Sequence, residues 1–382
     1  MKQRYYSLDV FRGATVALMI LVNNPGNWDN TYSPLRHAVW YGCTPTDLVF
    51  PFFLFAVGNA MSFVMPRYKQ EGTGYMLKKV VKRTILIFLI GLLLNWSPFV
   101  KWNDGHMVLK TWDTVRIMGV LQRIALSYFF ASLIVYFFKT RWAIGIACTI
   151  LLLYWGLNIW FGHGSDPFSQ NGYFGTDVDI KLFGVPHLYR NEPPFDPEGF
   201  ASTTTAIANV IFGYLAGQYI QAKGKTYEMV ANLFVAGAIV VCVGYCWDYV
   251  YPITKRTWSS SYALYTVGLA TITLALFIYW IECKEVRGVW NRFFDVFGKN
   301  PLFIYVLSSF LPHTLQLIHW TDHLNKAGKK VEITPFKWFY EHICRVVSDD
   351  LKVGSLVYAI SMVALYWLVA YLMDKKKWYV KV

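Results

Sequence analysis

The sequence predicts an all-α polytopic membrane protein with about ten transmembrane helices and both termini in the cytoplasm. Of its 382 residues, 55% are hydrophobic, 18% are aromatic and only 15% are charged, whereas soluble proteins carry about 25% charged residues. Apolar runs of about 18 residues or more recur along the whole chain, and such runs can cross a bilayer as helices. The net charge of +13 is spread between these runs, so we expect no nucleic-acid partner.

The apolar runs define ten predicted spans in chain order. Asp9 and Arg12 interrupt the first run and no small-residue cleavage site follows, so we expect a retained helix and not a signal peptide. Pro312 in the ninth run predicts a kink. Trp and Tyr gather at the span ends, as in the aromatic belts of membrane proteins. The spans cover roughly residues 8–23, 47–65, 80–98, 115–137, 142–161, 202–221, 230–250, 261–281, 300–318 and 353–373.

Lys and Arg cluster in alternate connections between the spans, and this asymmetry predicts the orientation. The segments 66–79 and 222–229 are basic, and cytoplasmic loops carry the excess of positive charge. We therefore expect these segments in the cytoplasm and the segments 24–46 and 162–201 on the outer side. The whole chain, residues 1–382, then forms a single transmembrane domain in contact with membrane lipids.

Two of the predicted outer segments are long. Residues 162–201 are rich in Gly, Pro, Asp and Asn, which is typical of an ordered loop with many turns. Residues 319–352 contain the sequence TPFKWFYEHICRVV, whose apolar residues have helical spacing. That pattern fits either a helix lying in the membrane interface or a solvated linker helix.

The stretch from Ser7 to Gly58 holds the candidate catalytic residues, because two apolar segments there flank a polar loop and ionisable groups near a bilayer indicate a site. His37 is suited to general base or nucleophilic work, or it merely hydrogen-bonds within its loop. Asp47 either caps the second span or fixes the tautomer of a histidine or receives a substrate amine. Asn23 either caps the first helix or donates to a developing oxyanion.

Arg123 lies in the sequence GVLQRIALSY, inside the predicted fourth span and about 12 Å from its outer end at 1.5 Å per residue. A permanent charge at that depth needs a partner. Asp47, a ligand phosphate or an internal ion pair would provide one. Asp9 and Arg12 are spaced i, i+3 near the start of the first span and can pair with each other.

The histidines and cysteines do not indicate a metal site. His319 and His323 have an i, i+4 spacing that can bind zinc, but no further Cys or His ligand is evident nearby, so we expect no metal. Cys43 and Cys344 both fall in predicted outer segments, and the sequence leaves open whether they form a disulfide.

Several segments together resemble the heparan-alpha-glucosaminide N-acetyltransferase family, which comprises a lysosomal transmembrane enzyme and its bacterial relatives. The resemblance implies that the histidine of the H-A-x-W-x-G-x-T element, here His37, is catalytic. It also implicates the asparagine that closes the first helix, Asn23, and the arginine of the L-Q-R element, Arg123. The matching segments, in order over nearly the whole chain, are SLDVFRG, LVNN, RHAVWYGCTPTDLVFPFFLFAVG, GVLQRIALSY, FDPEGFASTTTAIANVIFGYLAG, KRTWSSSYALYT and GKNPLFIYV.

The resemblance implies transfer of an acetyl group from cytosolic acetyl-CoA to the amine of a glucosamine-type sugar on the outer side of the membrane. His37 would attack the thioester itself or deprotonate the acceptor amine, and the sequence does not choose between these mechanisms. The expected site residues are His37, Asn23 and Asp47 for catalysis, Arg123, Arg12 and Asn300 for donor binding, and Glu198, Trp40 and Ser260 for acceptor binding.

Two alternatives to an amino-sugar N-acetyltransferase stay open. The ionisable residues within a multispan fold also suit a transporter of a sugar or small metabolite, and a related enzyme would acylate a hydroxyl of a cell-surface sugar. The chain starts just before the first helix, without the large lumenal domain of the lysosomal enzyme, so we expect the bacterial inner membrane. The natural acceptor and the oligomeric state, with a homodimer as one option, are not determined by the sequence.

Overall fold

The computed structural model describes residues 5–103, 105–324 and 330–380, and most of these residues are helical. Within these ranges, seven helices are long and apolar enough to cross a membrane. The prediction of an all-α membrane protein is therefore confirmed. The seven are Tyr6–Asn23, Pro45–Glu71, Val120–Phe137, Thr140–Phe161, Tyr227–Asp248, Ser260–Cys283 and Leu351–Lys375.

Every predicted span coincides with a helix in the described part of the chain, and the three remaining helices are short and lie in connections. The α-helices are α1 Tyr6–Asn23, α2 Val49–Glu71, α3 Thr73–Trp96, α4 Val120–Phe137, α5 Thr140–Phe161, α6 Phe174–Phe183, α7 Phe200–Lys223, α8 Tyr227–Asp248, α9 Ser260–Ile278, α10 Val289–Lys299, α11 Pro301–Leu315, α12 Pro335–Phe339 and α13 Leu351–Lys375.

The structure differs from the predicted spans at several helix ends. Helix α2 runs to Glu71 and not to residue 65, and α3 begins at Thr73 and not at residue 80, so most of the predicted connection 66–79 is helical.

Helix α4 begins at Val120 and not at residue 115. Val115 and Met118 continue the apolar run, but the backbone before Val120 is not helical. The Asn95 side chain donates to the carbonyls of Arg116 and Met118 at 3.0 and 3.1 Å. In a helix these two carbonyls would accept backbone N–H groups, but here the Asn95 side chain provides their hydrogen bonds. The apolar run is therefore longer than the helix.

The predicted outer segments contain ordered secondary structure. Residues 162–201 include α6 and a short hairpin of β3 Arg190–Asn191 and β4 Pro194–Phe195. Residues 319–352 begin with β5 Trp320–Leu324 and β6 Lys330–Ile333, continue through α12 and a π-helical turn, Tyr340–Cys344, and reach α13. A third hairpin, which the spans did not predict, joins α3 to α4 through β1 Val100–Asn103 and β2 His106–Leu109.

Helices α2 and α7 pack closely because each presents a glycine to the backbone of the other. A Cβ atom on Gly58 would lie 1.9 Å from the Val210 carbonyl oxygen, and one on Gly213 would lie 2.1 Å from the Phe55 carbonyl oxygen. Any side chain larger than hydrogen at either position would therefore require the two helices to move apart. The contact sets the position of the N-terminal ends of α2 and α7, where the candidate site lies.

Candidate active site

The loop from Asn24 to Thr44 connects α1 to α2 and is fixed against a second loop that precedes α9. Gly42 forms a parallel bridge with Thr254, and its N–H donates to the Ile253 carbonyl at 2.7 Å. The φ angle of Gly42 is 100°, a conformation that glycine adopts without steric cost. The two loops therefore bring residues from distant parts of the sequence to one place.

The Asp47 carboxylate organises the start of α2 and the loop before it. The chain enters α2 through a 3-10 turn, Pro45–Leu48, that is capped by Thr44. Asp47 Oδ2 accepts hydrogen bonds from the backbone N–H groups of Thr44 at 3.0 Å and Ala38 at 3.1 Å. Its side chain is only 1% exposed. One oxygen of the Asp47 carboxylate thus completes the capping box with Thr44, and the other oxygen contacts a histidine.

His37 Nδ1 lies 2.6 Å from Asp47 Oδ1. Because a carboxylate only accepts hydrogen bonds, the proton of the neutral imidazole is on Nδ1 and the lone pair is on Nε2. Burial lowers the pKa of His37; the hydrogen bond to Asp47 opposes this shift and the charge of Lys255 adds to it. His37 is therefore a neutral imidazole at pH 7, which is the form that acts as a base or nucleophile.

A cavity of about 140 Å³ lies beside His37, at the C-terminal end of α1. Apolar side chains of α1, α2, α4 and α11 form most of its wall. A mostly apolar cavity with a few convergent polar groups is typical of a small-molecule site. The polar residues that line it are Asn23, His37, Thr46, Glu198, Lys255 and Tyr305.

Lys255 belongs to this site, although the sequence analysis did not select it. Its Nζ lies 3.1 Å from His37 Nδ1 and 3.5 Å from Nε2, and 3.6 Å from Asp47 Oδ1. Burial lowers the pKa of Lys255, while the neighbouring Asp47 and Glu198 favour its charged form. A cation, a carboxylate and an imidazole therefore meet at one end of the cavity.

Glu198 lines the same cavity and is held by Arg116. The Arg116 guanidinium lies 2.5 Å from a Glu198 oxygen and 2.5 Å from Asp196. Burial alone would raise the pKa of Glu198, but the charge of Arg116 holds this pKa below its usual value. Glu198 is therefore an anion in the cavity wall, and a carboxylate there can accept hydrogen bonds from a hydroxyl or an ammonium group.

Arg123 is closer to its helix end than predicted, because α4 begins at Val120. Its guanidinium is fully buried. Nη2 donates to Ser202 Oγ and, at 3.4 Å, to the Gly199 carbonyl, and the guanidinium carbon lies 4.8 Å from the Trp258 ring. Within the described residues it forms no ion pair, with Asp47 or any other acid. Its contacts join α4 to α7 behind the cavity wall.

Trp40 and Ser260 lie outside the cavity lining. The Trp40 indole donates to the Phe168 carbonyl at 2.9 Å, which attaches the His37 loop to residues 162–201. Ser260 is buried and its hydroxyl donates to the Leu151 carbonyl at 2.7 Å, which attaches α9 to α5. Their assignment to acceptor binding stays a prediction, and the contacts described here are structural.

Arg12 lies near the opposite end of α1 from His37. It pairs with Asp9 at 2.9 Å, as the i, i+3 spacing allows, and Nε donates to the Gly298 carbonyl at 2.8 Å. Arg12, Asp9 and Asn59 line a second cavity, of about 270 Å³, between α1 and α2. Helices α1 and α2 therefore contribute residues to both cavities.

Asn300 is buried between α10 and α11. Its Nδ2 donates to the Trp378 carbonyl at 2.9 Å, and its Oδ1 accepts from the Val380 N–H at 2.9 Å. It therefore holds the C-terminal segment and lines neither of the two cavities described above. Donor binding by Asn300 stays a prediction.

The described residues contain no group of three or more His, Cys, Asp or Glu side chains that could hold a metal ion. Cys43 and Cys344 are free thiols there, and Cys344 is buried. In the structure, Cys43 and Cys344 therefore do not form a disulfide with each other.

Lys255 and Arg116 were missed because their partners are distant in sequence. Lys255 lies beside Arg256 in a predicted connection, where charge is normally solvated, and Arg116 lies at the edge of the predicted fourth span. A signal for Lys255 was nevertheless present, since it begins the segment KRTWSSSYALYT that carries part of the family resemblance.

Comparison with known proteins agrees with this resemblance. Residues 4–175 match the family model described as heparan-alpha-glucosaminide N-acetyltransferase, catalytic. Over 99% of its length the chain is 26% identical to the heparan-alpha-glucosaminide N-acetyltransferases of Mus musculus and Homo sapiens. The match covers 60% of each relative's own length. The chain is therefore similar to heparan-alpha-glucosaminide N-acetyltransferases over nearly its whole length, and its N-terminal part matches their catalytic family model.

Proposed function

We propose that this protein is a transmembrane N-acetyltransferase that moves an acetyl group from acetyl-CoA to the amine of a glucosamine-type sugar on the outer side of the membrane. The observation that carries the proposal is the 2.6 Å contact between His37 Nδ1 and Asp47 in the wall of a cavity. The names of the two relatives support the acetyl group and the glucosamine-type acceptor.

His37 can serve the reaction in two ways. In a double-displacement mechanism, Nε2 attacks the thioester carbon, the C–S bond breaks, and the acetyl-imidazole then reacts with the acceptor amine. In a ternary complex, Nε2 removes a proton as the amine attacks the thioester directly, and the thiolate leaves. In both mechanisms Asp47 holds the proton on Nδ1 and stabilises the positive charge that develops on the ring.

Asn23 and Glu198 are assigned to the substrates. The Asn23 amide lines the cavity with His37. It would donate to the oxygen of the tetrahedral intermediate, a contribution of roughly 2.7–4 kcal/mol for an effective donor. Glu198 lies in the same wall and is suited to bind the amine or a hydroxyl of the acceptor sugar.

The donor is proposed to reach His37 from the end of α1 that carries Arg12. Residues of α1 and α2 line both the cavity at Arg12 and the cavity at His37. A thin pantetheine arm would thread between these helices while its phosphates stay near basic residues. Donor binding by Arg12 belongs to this proposal. Arg123 donates to Ser202 and Gly199 behind the cavity wall, so it would stabilise the wall and would not bind the donor directly.

We propose ten spans with both termini in the cytoplasm. Besides the seven helices named above, the three that complete the count are α3, α7 and α11. The distribution of Lys and Arg between the loops supports this orientation. A bacterial inner membrane and a homodimer remain part of the proposal.

The test is to incubate the purified protein with labelled acetyl-CoA and glucosamine. Acetylated amino sugar, with release of CoA, is the expected product. In proteoliposomes, uptake of the sugar without modification would instead favour the transporter. Labelling of a sugar that lacks a free amine would assign the enzyme to O-acylation.

A further inference from the structure

The contact between Lys255 and His37 is not explained by catalysis through His37 and Asp47 alone. Lysine ammonium groups are donors only, and Nδ1 of His37 already donates to Asp47. The Lys255 Nζ nevertheless lies 3.1 Å from Nδ1 and 3.5 Å from Nε2, with its side chain only 19% exposed. A buried cation is therefore placed against both nitrogens of the proposed base.

The other charged groups around His37 show what Lys255 adds. Asp47 faces the ring from the start of α2 and favours the imidazolium, whereas Lys255 and Arg256, from the loop before α9, disfavour it. Glu198 faces Lys255 from the loop before α7 and favours the lysine cation. Without Lys255, the half-buried ring beside the Asp47 carboxylate would gain a proton more readily.

We propose that Lys255 is a positioning residue that keeps His37 unprotonated, so that Nε2 stays available to the cavity while Asp47 fixes the tautomer. Asp47 alone would orient the ring but also stabilise its protonated form. Lys255 offsets the negative charge of Asp47 at the ring, so Asp47 can orient the imidazole without stabilising the imidazolium. The inference concerns the protonation state of His37 and supports the proposed function without requiring it.

The experiment measures His37 protonation without substrates. Diethyl pyrocarbonate reacts with neutral imidazole, so the extent of His37 modification, followed by mass spectrometry of its peptide against pH, reports the midpoint of its titration. The purified protein is compared with Lys255→Met, which keeps an apolar stem but removes the charge. Because a neighbouring cation lowers a histidine pKa, its loss should raise the midpoint by about one pH unit.

Two further variants separate charge from packing. Lys255→Arg retains a cation and should keep a midpoint near that of the unmodified protein. Lys181→Met removes an exposed lysine on α6 and should change nothing. If Lys255→Met does not fold, Lys255→Gln provides the same measurement with a polar neutral side chain. An unchanged midpoint in a folded neutral variant would overturn the proposal.

If the protein also acetylates glucosamine, the acid limb of its kcat/KM profile should move to higher pH in Lys255→Met by the same amount. A merely structural role of Lys255 would lower activity at all pH values without moving the limb. The modification assay does not depend on catalysis, so a chain that acetylates no sugar but shows the shifted midpoint would refute the proposed function and not this inference.

Discussion

At the scale of single residues, the orientation of the His37 imidazole is fixed by Asp47. Two backbone N–H groups and the Thr44 hydroxyl hold one oxygen of this carboxylate, so the other oxygen has little freedom relative to α2. His37 itself is 31% exposed and makes no large packing contribution. The orientation of the imidazole is thus fixed by a group that is itself fixed by the backbone.

Replacing His37 with alanine should abolish most acetyl transfer and leave the fold intact. We expect activity to fall by on the order of 10²–10⁴-fold if His37 is a general base, and at least as far if it is the nucleophile. Expression and stability in detergent should stay close to wild type, because the side chain is at the mouth of a cavity. Activity with acetyl-CoA and glucosamine, beside a thermal melt, tests both expectations.

The matched control is His163→Ala, which removes an exposed histidine that also contacts a carboxylate, Asp177. This variant should keep wild-type activity. A wild-type rate in purified His37→Ala protein would remove both proposed mechanisms together and would require another base.

Sequence reasoning selected His37, Asn23 and Asp47, and the structure places them close together because they lie within one stretch of chain. It could not select Lys255, which is 218 residues from His37, since no local pattern encodes so distant a contact. The predicted fourth span also began too early, so Arg123 was predicted deeper inside its helix than the structure has it. The apolar residues before α4 continue a hydrophobic run that the side chain of Asn95 holds out of the helix.

At the scale of helices, the long helices were predictable because a membrane protein requires long apolar runs, while the packing of these helices was not. Periodicity does not reveal which helix α2 contacts. The close approach of α2 and α7 depends on Gly58 and Gly213, which in the sequence are two of 27 glycines. The helical spacing in TPFKWFYEHICRVV did predict the helical turns of α12 and Tyr340–Cys344. Helices α6 and α10 and the three hairpins were not predicted, because their segments are short and their turns are polar.

The Gly58→Ala variant should separate α2 from α7. The added Cβ would meet the Val210 carbonyl oxygen at 1.9 Å, so the helices must move apart, at a cost of about 1–3 kcal/mol. We expect a lower melting temperature and lower activity, because both helices begin at the site. Gly145→Ala in α5 is the control, since nothing lies within 4 Å of a Cβ there. Equal melting temperatures for the two variants would contradict the packing described.

At the scale of the whole molecule, the proposed orientation places the His37 loop outside. In intact cells, a cysteine at Asn30 should react with a membrane-impermeant maleimide, whereas one at Gln70, in the basic segment after the second predicted span, should react only after the membrane is opened. Cys148, Cys242 and Cys246 are exposed and are replaced by alanine first. Protection of the Asn30 site together with labelling of the Gln70 site would reverse the orientation.

The bridge between Gly42 and Thr254 has a consequence for biosynthesis. The His37 loop emerges early, but the loop that holds it and supplies Lys255 follows 218 residues later, which at 5–20 residues per second is a delay of roughly 10–40 s. During that interval His37 and Asp47 can meet, but the cavity still lacks Lys255 and the wall from α11. If the proposed acetyl transfer requires this complete cavity, we expect activity to begin only after α11 has been inserted, so that activity would report a completed assembly.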